Sequence, residues 1–138
     1  MRRRLLGTIS VALAFTGCAH GPLGALPVVD SGRAAELVII RPGVFVGCGT
    51  SSRIVLDGEK VFALGCHEHV ILPVPEGERI LGVAYRTWFV EDVNTTVVTT
   101  AAGRRYYFRL DPGYGSPLLN RIPAAEGEKL VGATERAI

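Results

Sequence analysis

The sequence predicts an all-β fold, a small antiparallel β-sandwich of about seven to eight short strands. Three observations carry this expectation. Apolar and β-branched runs are short, turn residues recur every 8–12 positions or so, and only the C-terminal stretch has a helical composition.

The elements follow in order. Leu37-Val38-Ile39-Ile40 is a β-branched run stopped by Pro42-Gly43. Ser52 to Leu56 and Lys60 to Leu64 flank Asp57-Gly58, a dipeptide suited to the left-handed angles of a type I′ hairpin turn. Val70 to Val74 ends at Pro75-Glu76-Gly77, and Arg79 to Phe89 is the next long run. Thr95 to Thr100 is almost wholly β-branched, so restricted χ1 favours strand over helix. Gly103 turns the chain into Arg104 to Leu110, and Leu118 to Ile122 is the last expected strand. Pro123 suits a helix start, and Ala124 to Val131 is expected to be a short helix in which Gly127 costs ~1 kcal/mol relative to Ala.

Before this domain comes a segment of different chemistry. Arg2, Arg3 and Arg4 precede the apolar run Leu5 to Phe15, which is too short for the ~20 residues of a bilayer-spanning helix. Its length fits the core of a signal peptide. The run ends Phe15-Thr16-Gly17-Cys18, which resembles the bacterial lipoprotein box, with small residues before a cysteine that is acylated and becomes the new N-terminus. Phe15 stands where Leu is usual, and a plain secretory signal cut near Ala19 is the alternative. Ala19 in place of Asp resembles the default outer-membrane sorting pattern of Gram-negative bacteria. The expected organisation is a signal peptide at 1–17, a lipidated N-terminus and tether at 18–35, and a sandwich at 36–138. The expected location is the outer membrane, with the domain facing the periplasm.

Composition narrows the partners. The chain has 15 basic and 13 acidic residues, but three arginines belong to the leader, leaving 12 against 13. A near-neutral domain offers no electrostatic footprint for nucleic acid. A membrane through the lipid, and an envelope protein or cell-wall component, are the partners this leaves.

With those turns placed, the chain resembles a family of small bacterial lipoproteins with a PEGA-like β-sandwich domain of unknown function. Arg41-Pro42, Val55-Leu56-Asp57-Gly58, Pro75-Glu76-Gly77 and Gly103-Arg104-Arg105-Tyr106-Tyr107 carry the likeness, over about Glu36 to Val131. Arg79 stands where that family often has His, and Glu76 replaces the second Pro of its turn. The resemblance implies a β-sandwich lipoprotein and no known catalysis.

Few residues offer chemistry. His67 and His69 would share a face of a strand, with Cys66 beside them, but zinc needs further ligands and only His20 remains. Solvated imidazoles at a strand end are the simpler reading, so no metal or cofactor is expected. Ser51, Ser52 and Ser116 lack a nucleophile-elbow context, and Glu91-Asp92 would point to opposite faces. No enzymatic activity is expected. In the late strand Arg104, Tyr106, Phe108 and Leu110 should face the core. Arg105, Tyr107 and Arg109 should then form an exposed row, a candidate partner surface or simply a solvated face.

Cys48 and Cys66 are expected to form a disulfide in an oxidising compartment, with a bulge at Gly47 or Gly49 absorbing a one-residue offset. Two function classes remain. One is a non-enzymatic binding or structural lipoprotein of the envelope. The other is an inhibitor-like lipoprotein presenting Pro42 to Ser51 to a secreted hydrolase.

Overall fold

The computed structural model describes residues 20–43 and 48–137. The leader and Cys18 lie outside them, as does part of the Pro42–Ser51 loop. Ten strands and one helix are described: β1 (Gly21–Pro22), β2 (Ala34–Arg41), β3 (Ser52–Leu56), β4 (Glu59–Leu64), β5 (Glu68–Pro75), β6 (Gly77–Arg86), β7 (Glu91–Thr100), β8 (Arg105–Asp111), β9 (Leu118–Ile122), α1 (Ala124–Gly132) and β10 (Glu135–Arg136). They form two five-stranded sheets, ordered β1-β4-β3-β6-β7 and β10-β5-β2-β8-β9. The expected all-β sandwich with a short C-terminal helix is present.

The predicted hairpin forms where its turn chemistry requires. Asp57 and Gly58 both have positive φ, 49° and 88°, and Leu56 pairs with Glu59. The Asp57 carboxylate then accepts from the Ile80 amide at 2.9 Å and from Arg79 at 3.1 Å, fixing the turn to β6. One residue further the register slips: Val55 faces Lys60 but Ile54 faces Phe62. The resulting bulge lets the adjacent Val61 and Phe62 both enter the core, which strict alternation would forbid.

The core lies between the sheets. Leu37 and Ile39 from β2, Leu72 and Val74 from β5, and Tyr106 and Phe108 from β8 meet Ile54, Phe62, Leu64 and Leu81 from the facing sheet. Two expectations about the sheets need correction. The second sheet is mixed, because β2 runs parallel to β8 and β10 parallel to β5. The run from Arg79 does not continue to Phe89: β6 ends at Arg86 and residues 87–90 form its turn to β7.

The stretch expected to be a tether is partly built into the fold. Gly21 pairs with Ala63 and Pro22 with Phe62. The Leu23 amide donates to Val61 O at 3.0 Å, and Leu26 packs against the core. The chain therefore joins the sandwich at residue 21, and its first long strand starts at Ala34, two residues before the expected boundary.

A second, smaller cluster fills the outer face of the mixed sheet. Tyr107, Val38, Ile40 and Ile122 are buried there, with Leu130 and Val131 of α1 packed on them. The expected exposed Arg-Tyr-Arg row is thus corrected at its centre: α1 covers Tyr107, which is only 4% exposed, while Arg105 stays exposed and Arg109 half-buried. Its hydroxyl bonds Glu128, and burial raises its pKa, with the Glu128 carboxylate adding to the effect. Arg105 bonds Glu36 at 2.6 Å and lies 3.6 Å from Glu128. Arg109 bonds Asp111 at 2.9 Å and Glu126 at 2.7 Å. These partners hold both guanidinium groups firmly protonated, Glu36 first for Arg105 and Asp111 first for Arg109. Both arginines therefore fasten the helix and sheet, a role invisible to strand periodicity alone.

Candidate functional site

The candidate site is a cleft of about 510 Å³ at one pole of the sandwich. The registers explain why these residues converge there. Leu64 faces Ser52, Arg53 faces Ala84, and Arg86 faces Glu91 in one sheet. Arg41 faces Glu68 and Asp111 faces Leu118 in the other. The cleft opens between these ends and is lined by Arg41, Arg53, Arg86, Glu91, Asp111 and neighbouring backbone.

Arg41 is the residue that sequence reading missed. It ends β2 and is 8% exposed. Its Nη1 donates to Thr50 O at 2.7 Å and to Leu64 O at 2.9 Å, tying one sheet to the margin of the other. Burial lowers the pKa of this guanidinium, while the Glu68 carboxylate opposes the shift. Arginine nevertheless stays charged in proteins, so the cleft carries a permanent cation at its inner wall. The acids of the cleft are engaged. Glu91 is bonded by Lys60 and sits 3.5 Å from Arg53; the Lys60 hydrogen bond holds its carboxyl below the usual range. Asp111 accepts from Arg109 and from Asn120 at 2.8 Å. Asn94 closes one margin by donating to Pro117 O at 2.7 Å.

Beside the cleft lies the predicted disulfide. Cys48 and Cys66 are bonded, with Cα atoms 5.3 Å apart. The route differs from expectation. The bulge among the described residues lies within β4, and it shifts the ladder away from the register that would oppose the cysteines; Gly47 lies outside the described residues. The bridge instead joins the turns beyond the two strand ends. That is why hairpin arithmetic could find the pair but not its geometry.

The histidines do not converge. His67 has a φ of 59°, so it breaks the alternation that would have set it beside His69. Its ring lies over Gly43, where an added Cβ would fall 1.6 Å from Cε1. Glu68 accepts from the Gly65 amide at 2.7 Å and lies 3.2 Å from His20 Nδ1. His69 is 5% exposed, and its Nδ1 is 2.9 Å from Thr134 Oγ1. The Thr134 hydroxyl also lies 2.9 Å from Leu130 O and donates there, so it accepts from His69. Among the described residues no three His, Cys, Asp or Glu side chains form a metal-binding group. Ser51 and Ser52 line the cleft, but no imidazole is among its described lining.

Burial, followed by Arg136, pulls the His69 pKa below its ordinary 6.5. The unfolded state therefore binds the proton first as pH falls. Stability should be constant above about 6.5 and decline from there down to the lowered folded value. His69→Gln should remove this part of the slope in urea-unfolding midpoints measured between pH 7.5 and 5. An unchanged slope would show that the imidazole titrates freely.

Comparison with protein-family models, curated proteins and solved structures finds no significant match. No helix among the described residues is long and apolar enough to cross a membrane.

Proposed function

We propose that this chain is a membrane-anchored envelope lipoprotein whose sandwich acts as a non-enzymatic binding module, with the polar cleft as its recognition surface. The observation that carries the reading is the charge state of that cleft. Its lining carries three arginines, Arg41, Arg53 and Arg86, against two carboxylates, Glu91 and Asp111, and those carboxylates are already engaged by Lys60, Arg53 and Arg109. Such a surface favours an anionic partner, a carboxylate- or phosphate-bearing component of the envelope. The basic leader, its short apolar core and Cys18 support the lipid anchor.

An inhibitor-like role is the second reading. It is favoured by the disulfide, which braces one side of the 42–51 loop. Both readings use the same pole, so one in-cell experiment tests them together. A photo-crosslinking residue at Arg86 should give one adduct of defined mass, and the same probe at Ala102, on the opposite pole, should give none. A hydrolase in the adduct selects the inhibitor role, whereas equal labelling from both sites contradicts a polar recognition surface.

A further inference from the structure

The turn between β6 and β7 presents two adjacent aromatic side chains to solvent. Trp88 is 96% exposed and Phe89 95%, with Val90 beside them at 61%. Isolated exposed apolar residues are ordinary, but a contiguous pair of large rings with no cover marks a contact surface. The turn itself is well closed. The Thr87 amide donates to Val90 O at 2.9 Å, and the Thr87 hydroxyl lies 3.0 Å from Val90 O and 3.3 Å from the Val90 amide. Hydrogen bonds thus hold the rings outward at the end of a ten-residue-per-strand hairpin. Tyr114, in the loop between β8 and β9, is also fully exposed and lies at the same pole.

The entry point of the chain supplies the second observation. Gly21 faces Ala63, so the chain going back from Gly21 heads past Leu64 toward the pole that carries the cleft. His20 confirms the direction, since its ring lies against Gly65 and 3.2 Å from Glu68. Cys18 is two residues away, a reach of at most ~7 Å. Three strand spacings separate β1 from β6, or ~14 Å across the sheet. The aromatic turn and the lipid attachment point therefore belong to one end of the molecule.

We infer that this pole rests on the bilayer that holds the lipid, with Trp88 and Phe89 seated in its interfacial region. The inference rests on acylation of Cys18. A chain anchored so close to the fold cannot lift the domain away, and Trp is the residue most suited to the boundary between headgroups and acyl chains. The rings add a second hold to the lipid and fix the domain's orientation, as two signals anchor better than one. The cleft then opens beside the membrane surface.

Trp88 is the only tryptophan in the chain, so its emission reads the turn directly. The mature protein, purified from membranes, is reconstituted into phosphatidylethanolamine–phosphatidylglycerol vesicles, and Cys18 is checked by mass spectrometry. Lipids brominated near the carbonyl region should remove about half of the emission, and iodide in the buffer should remove little, as expected for an interfacial ring. A Trp88→Phe, Ala102→Trp variant moves the reporter to the opposite pole and should show the reverse. If Cys18 is acylated but Trp88 is quenched by iodide and not by bromolipid, the orientation is wrong and the anchor stands. If Cys18 carries no lipid and the protein does not bind vesicles, both fall.

Discussion

Removing the Cys48–Cys66 bridge is expected to lower unfolding free energy by about 3 kcal/mol, because it releases a closed loop of about 19 residues in the unfolded chain. The bridge also joins the turns on which Arg41 depends. Arg41 reaches Thr50 O, two residues from Cys48, and Leu64 O, two residues from Cys66. A double Cys48→Ala, Cys66→Ala variant should therefore unfold at lower urea, with a slope against denaturant equal or steeper because the unbridged unfolded chain exposes more surface. Thiol labelling of the unfolded, unreduced wild type should find neither cysteine. Two reactive thiols, or equal stability of the double variant, would contradict the bridge.

Gly127→Val should be comparably damaging, at roughly 2–3 kcal/mol, for a reason of close packing. A Cβ at Gly127 would lie 2.3 Å from Cγ and Cδ1 of Tyr107 and 2.7 Å from its Cβ. The helix can lie on the ring only because residue 127 has no side chain. Gly132, the last residue of the same helix, has nothing within 4 Å of its added Cβ. Gly132→Ala should therefore be neutral or stabilise by up to ~1 kcal/mol, through helix propensity alone. Urea unfolding of the two variants checks the pair. Similar shifts from both would show that the helix does not dock on Tyr107.

The contrast between these glycines shows what could be read in advance. Gly127 is legible as a weak helix residue, but its value lies in a contact with a strand twenty residues earlier, which no local pattern encodes. Local chemistry was legible throughout: Asp57-Gly58 dictates its turn, β-branched Thr95 to Thr100 dictates strand, and Leu118–Ile122 forms as expected. Non-local pairing was not. Nothing in β2 or β8 alone says that they run parallel, and the cover α1 provides buries Tyr107, the centre of an expected exposed row. The Val61 bulge likewise depends on which residues the facing sheet needs filled.

The site was less legible than the fold. Arg41 at the end of an apolar run looks like a solvent-facing terminus, and its burial depends on two carbonyls brought from Thr50 and Leu64. Trp88 and Phe89 look like strand residues because they are apolar. Only the ladder, which ends at Arg86 and Glu91, shows them to be a turn. The Gly21 and Pro22 pairing was hidden because both residues favour loops, yet an edge position tolerates them.

The proposal as a whole depends on the lipid at Cys18, and the mass of the membrane-extracted protein tests it most directly. The expected species begins at Cys18 and exceeds the mass of residues 18–138 by a glyceride and its acyl chains. Cys18→Ala should abolish that species, leaving an unprocessed precursor or a protein outside the detergent phase. A wild-type chain bearing an unmodified cysteine, or a Cys18→Ala variant that fractionates as wild type does, would contradict the account.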